Sequence, residues 1–207
     1  MYDVDVNGRY DRYQQIERAV VFVNTEVVPG DVLDFGAGCG ISTAVLTKAV
    51  IANIGNEGKH QRRVVAFDSC KGLPTESEGH GFWKGGMMVT SKEFINTVFV
   101  LEKLPPPDLR VGWFEDVLPR TKDIKQCAVA HIDCDIYEST VTVLNFLEPL
   151  LQDGSVLLFD DYFCYKGNPN KGEQRAFREF RSKCKTFEFV EWIKYGVHCH
   201  SFIAVKE

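Results

Sequence analysis

Two pairs of carboxylates stand at the centre of the chemistry this chain can perform: Asp133 and Asp135 in HIDCD, and Asp160 and Asp161 in FDDYF. Uncompensated carboxylates repel one another, so holding two such pairs at one place calls for a cation. All-oxygen donors suit Mg2+ or a similarly hard ion. Read separately, each pair also fits helix capping or simple exposure to water. A further acid, Asp68, follows a short apolar run 34 residues beyond Asp34. There it is placed to accept hydrogen bonds from ribose hydroxyls.

These acids need elements to hold them. The stretch 32–42, VLDFGAGCGIS, reads as a buried strand, a glycine turn and the start of a helix. Its glycines, Gly36, Gly38 and Gly40, are spaced G-x-G-x-G, whereas a dinucleotide fingerprint requires G-x-G-x-x-G and has Ile41 against it. The turn and Asp68 together therefore point to a nucleoside-type cofactor other than a dinucleotide, seated at a helix N-terminus. Apolar periodicity predicts helices over 9–28, 42–54, 92–104, 139–151 and 173–184. Strands are predicted at 32–35, 64–67, 109–114, 127–132 and 155–159, with a closing pair at 187–193 and 199–205, and Asp153-Gly154 reads as a turn before the fifth strand. The expected fold is α/β: a Rossmann-like, doubly wound, mostly parallel seven-stranded sheet with a C-terminal antiparallel hairpin. Asp68, Asp133, Asp135, Asp160 and Asp161 would then emerge at one sheet edge. The aperiodic stretch 71–91 holds five glycines with His80, Phe82, Trp83 and a methionine pair, and reads as a lid.

Composition sets the bounds. The 207 residues, 44% hydrophobic and 26% charged, suit a single domain over 1–207. The formal charge of −5 argues against a nucleic-acid partner. The one basic run, residues 59–63, reads as an exposed loop. No apolar run reaches a membrane span, and MYDVDVNGRYDRY carries no signal-peptide pattern, so a cytoplasmic protein is expected. Seven scattered cysteines suit reduced thiols. In His198-Cys199-His200, strand alternation would send the histidines to one face and the cysteine to the other, and no second ligand pair accompanies them, so zinc is not expected there.

Five segments in order, LDFGAGCGIS, AFDSCKGLP, GWFEDVLP, HIDCDIYEST and FDDYF, resemble those of the class I S-adenosylmethionine-dependent methyltransferases. The similarity covers essentially the whole chain and is strongest to the macrocin O-methyltransferase type, which methylates sugar hydroxyls. The resemblance implies S-adenosylmethionine and Mg2+ as cofactors. It places Asp34, Gly36 and Gly38 beside the methionine part, with Ser42 reaching its carboxylate. It assigns Asp68 and Ser69 to the ribose, Phe114 and Glu115 to the adenine, Asp133 to both cofactor and metal, and Asp160 and Asp161 to the metal. Catechol-type relatives use a lysine three residues after the first metal aspartate; Ile136 stands here, and His80 is the replacement base that the macrocin type suggests. The partner is then a small-molecule hydroxyl acceptor beside a second oxygen, with a second subunit available to complete the lid as a homo-oligomer. Two alternatives stay open: a metal-independent methyltransferase and a non-catalytic cofactor-binding module.

Overall fold

The computed structural model describes residues 9–53, 62–75 and 78–206. Its elements run α1 (Arg9–Thr25), β1 (Asp31–Phe35), α2 (Ile41–Ala52), β2 (Val64–Asp68), α3 (Lys92–Leu101), β3 (Asp108–Val111), the single-turn α4 (Phe114–Val117), β4 (Cys127–Ile132), α5 (Tyr137–Leu147), β5 (Leu151–Phe159), α6 (Gly172–Lys183), β6 (Phe187–Tyr195) and β7 (Cys199–Lys206). The seven strands form one sheet in the order β3-β2-β1-β4-β5-β7-β6. Strands β1 to β5 pair in parallel, and β7 runs antiparallel to both β5 and β6. Strand order reverses between β1 and β4, so a crevice opens at their carboxyl ends.

Both faces of the sheet are covered, which is why β4 reads CAVAHI and is buried at every position. One face packs Leu33, Phe35, Phe67, Ile132 and Phe159 under α5 and α6. The other packs Val32, Val129 and Leu158 under α1 and α2. Ala66, Ile95 and Phe99 fix α3 beside α2.

Several boundaries differ from the sequence expectation, and three of them have a clear backbone reason. The third strand stops at Val111 instead of continuing to 114, because Gly112 turns at φ 152° and Phe114 opens α4 with its ring edge-on to Phe35. Asp153-Gly154 is not a turn between elements but a bulge inside β5: Gly154 has φ 87°, and the pairing with β4 shifts register there. The helix expected from 139 begins at Tyr137, since the turn after Asp133 is tight and Asp135 itself sits at φ 61°.

The basic run also departs from expectation. Residues 59–61 lie outside the described residues, and Arg63 is exposed, but Arg62 is buried. Its guanidinium donates to Asn24 Oδ1 and to the carbonyls of Val23, Val28 and Gly30. A buried cation holding four acceptors closes the C-terminus of α1. No helix among the described residues is long and apolar enough to cross a membrane.

Candidate active site

A cavity of about 250 Å3 opens at the carboxyl ends of β1, β2, β4 and β5, where the crevice was expected. Its two halves are built differently.

On the β1–β3 side the glycine turn and Asp68 close on each other. Asp68 Oδ2 accepts the Gly38 N–H at 2.8 Å and Oδ1 accepts the Cys70 N–H at 2.7 Å, while the carboxylate still lines the cavity. Burial raises the Asp68 pKa, and the two backbone bonds oppose that rise. A carboxylate oxygen with one N–H bound keeps a lone pair for another donor. Gly36, at φ 94°, lies so close to the end of β4 that a Cβ there would stand 1.9 Å from the Asp133 carbonyl. Only glycine permits that approach. Gly38, Ser69, Phe114 and Glu115 line the same half, with the Ser69 hydroxyl donating to the Gly72 carbonyl.

Asp34 and Ser42 do not face the cavity. Asp34 is fully buried, and its carboxylate accepts the hydroxyls of Ser42 at 3.0 Å and Thr43 at 2.5 Å and faces His131 Nδ1 at 2.8 Å. Here Asp34 pins the first turn of α2, and the Ser42 hydroxyl serves that bond. His131 is buried near the carboxyl end of β4. Burial lowers its pKa, but Asp34, Asp160 and Asp133 more than offset this and push it up to about 9. The ring stands between Asp34 and Asp160, whose Oδ1 is 3.9 Å from Nε2.

The β4–β5 side holds the acids. Asp133, Asp160 and Asp161 all line the cavity, as does Asp135. Asp133, Asp135 and Asp161 each offer an oxygen within 4.8 Å of the others. Asp160 is instead engaged by Arg12 of α1, whose guanidinium also lies 3.9 Å from Asp133. The group the structure draws tightest therefore contains Asp135 where sequence reading placed Asp160. Burial and mutual repulsion raise the pKa of Asp133 and Asp161, and push Asp135 up to about 8. Three converging carboxyl oxygens, whose ionised form burial and repulsion disfavour without a counter-charge, form a donor set that fits a hard divalent cation.

Sequence reasoning missed three residues that organise this half. Arg12 is one and His131 another. The third is Glu173, in the first turn of α6 and fully buried, which accepts the Cys134 N–H at 3.1 Å and the Asp161 N–H at 3.0 Å. It clamps both acid-bearing loops with one carboxylate. A histidine inside the apolar run CAVAHI and an acid on the apolar face of α6 were the available signals. Arg12 left none, since its partner is 148 residues away.

Residues 78–88 reach this half. Glu78 accepts from the Gly172 N–H and from Arg175 at 3.0 Å, fastening the lid to the N-terminus of α6. Trp83 and Met88 line the cavity. His80 does not: its ring stacks on Trp83 with centroids 5.6 Å apart and stands edge-on to Tyr165 at 4.5 Å, and its Nδ1 faces the Phe82 N–H at 3.3 Å. The proposed base thus sits one ring back from the cavity.

Sheet order, switch-point crevice and a glycine turn closed by a strand-end aspartate define a Rossmann-like α/β protein with a cleft at the switch point. The profile of the macrocin-O-methyltransferase (TylF) family matches residues 6–198, and the chain belongs to that family. A tetracenomycin-type protein of Streptomyces olivaceus, 8-demethyl-8-(2,3-dimethoxy-alpha-L-rhamnosyl)-tetracenomycin-C 4'-O-methyltransferase, is 29% identical over 161 residues, covering 73% of this chain and 60% of that protein. The demethyldecarbamoylnovobiocin O-methyltransferase of Streptomyces niveus gives the same figures. This chain thus spans about 60% of the length of the curated relatives it matches. The structure of the O-methyltransferase NovP superposes with a TM-score of 0.76 at 25% identity, over 94% of this chain and 80% of that one.

Proposed function

We propose that the protein is a Mg2+-dependent S-adenosylmethionine O-methyltransferase acting on a hydroxyl beside a second oxygen, such as a vicinal diol of a sugar. One observation carries the reading: a single cavity joins a ribose-accepting carboxylate on a glycine turn to a converging group of acids on the neighbouring strand ends. Family membership and the sugar-directed names of the relatives support it.

S-adenosylmethionine supplies an electrophilic methyl group, and Mg2+ acidifies a hydroxyl held against it. The chain's own residues do the rest. Asp68 accepts the ribose hydroxyls, Gly36 and Gly38 let the backbone approach, and Phe114 and Glu115 flank the base. Asp133 and Asp161, with Asp135 or Asp160, hold the cation. Trp83 and Met88 exclude water from the reacting atoms. His80, which stacks on the cavity-lining Trp83, is the residue we assign to removing the hydroxyl proton.

The ion pair of Arg12 with Asp160 favours one alternative, a metal-independent transfer in which Arg12 supplies the balancing charge. Methyl transfer from S-adenosylmethionine to a nucleotide-linked or aglycone-linked deoxysugar, read by mass spectrometry before and after exhaustive chelation, separates the two. The proposal expects loss on chelation and recovery with Mg2+; unchanged turnover would sink the metal role. If Asp160 is the third donor, Asp160→Asn should lower turnover strongly while leaving cofactor affinity nearly intact.

A further inference from the structure

The tract His198-Cys199-His200 does not behave as strand alternation requires. Strand β7 begins only at Cys199, so His198 lies in the turn after β6, while His200 is buried against Tyr162, Phe163 and Phe202. The two histidines part company, and His198 meets a different pair of residues. Its ring nitrogen, the Cys164 sulfur and an Asp161 oxygen lie within 4.8 Å of one another. The Cys164 thiol donates to Asp161 Oδ1 at 3.0 Å.

The backbone holds this group together. The Phe163 N–H donates to the His198 carbonyl at 2.8 Å, tying the loop after β5 to the β6–β7 turn, and the Cys164 N–H donates to the Asp161 carbonyl at 3.0 Å. Cys164 and Asp161 are buried, whereas His198 is exposed, leaving an approach from solvent. Neither Cys164 nor His198 lines the cavity of the proposed reaction. A thiol, an imidazole and a carboxylate form a donor set for Zn2+ or Co2+, which a hard ion such as Mg2+ does not seek.

We infer that Cys164, His198 and Asp161 form a second cation site, selective for borderline divalent ions such as Zn2+, and that its occupancy opposes the hard-cation group because both use Asp161. The opposition rests on the reaction proposed above; the binding site does not. On binding, the Cys164 S–H bond breaks, a metal–sulfur bond forms and the proton leaves to solvent. Zn2+ would then act as an inhibitor that reaches the acids from the side away from the cofactor.

The test is titration of the reduced full chain with Co2+, followed by thiolate-to-cobalt charge-transfer absorption. One equivalent of Co2+ should develop the band and Zn2+ should abolish it. Cys164→Ser should eliminate the band, and His198→Ala, in an exposed turn that leaves the core intact, should weaken Co2+ binding by about tenfold or more. Asp133→Asn, which removes a donor of the hard-cation group but none of Cys164, His198 and Asp161, should leave the band in place, and saturating Mg2+ should weaken Co2+ binding to the unmodified chain. Absence of the band in the unmodified chain, or its persistence in Cys164→Ser, overturns the site. A band that obeys both ligand variants but ignores Mg2+ overturns the sharing of Asp161. Turnover that ignores chelation contradicts the hard-cation reading alone, since the cobalt band is read without activity.

Discussion

The two halves of the cleft solve the same problem, presenting carboxylates at strand ends, by different means. On the β1–β3 side the ties are backbone bonds and close approach: Asp68 to the Gly38 and Cys70 amides, Gly36 against the Asp133 carbonyl. On the β4–β5 side they are side chains arriving from far along the chain. Arg12 reaches Asp160, Glu173 clamps the two acidic loops, and Glu78 fastens the lid to α6. A site made of backbone geometry varies little as the sequence changes around it. A site made of long-range side-chain contacts is tunable, which suits the half to which the proposed function assigns the acceptor.

Four substitutions test that division. The largest effect is expected from Asp161→Asn, whose carboxylate belongs to every grouping of the acids: kcat should fall on the order of 10^3-fold while S-adenosylhomocysteine affinity by calorimetry stays within about threefold. Equal damage to both quantities would mean that the halves are not separable. Gly36→Ala should do the reverse, because its Cβ collides with backbone that cannot move aside. We expect about 2–4 kcal/mol lost in denaturant unfolding together with loss of cofactor binding; a variant of normal stability would remove the claim that this approach is obligatory. Glu173→Gln keeps the shape but weakens the clamp, lowering kcat by about 10–100-fold with little change in cofactor affinity.

The smallest effect concerns Asp68. Burial raises its pKa, so it takes up a proton at higher pH than an ordinary carboxylate and then loses an acceptor for ribose. Cofactor affinity should therefore weaken as the pH falls through that raised value and be complete above it. Asp68→Asn should bind about tenfold more weakly at neutral pH and lose the dependence. A pH profile identical in the two proteins would take Asp68 out of the cofactor site.

Legibility in the sequence follows the same division. Buried strands, the glycine turn and the strand-end acids were readable because their signals are local: an apolar run, a φ-permissive residue, an acid directly after a strand. The mostly parallel sheet and its C-terminal antiparallel hairpin followed from those elements, while the strand order is seen only in the structure, and the TylF family match agrees with the resemblance carried by the five motifs. What sequence missed depends on distance or on backbone detail. Arg62 looked like part of a solvated basic run because its acceptors, Asn24 and the end of α1, are remote in sequence. Gly154 looked like a turn because a bulge and a turn share the same residue preference. Asp34 was assigned to the cofactor, yet its partners are Ser42, Thr43 and His131, and only the fold reveals that the last lies beside it. His80 sits behind Trp83 because an aromatic lid fixes its rings by mutual packing, which spacing alone does not encode.

The central claim is that one cavity carries a cofactor half and a cation half. A crystal structure with S-adenosylhomocysteine and Mn2+, the ion located by its anomalous scattering, tests it most directly. The account predicts the ribose on Asp68 beside Gly36 and Gly38, and a single strong anomalous peak bounded by Asp133 and Asp161 with Asp135 or Asp160 as the third oxygen donor. Ribose density away from Asp68, or Arg12 still paired with Asp160 and no manganese among the acids at saturating ion, would contradict it.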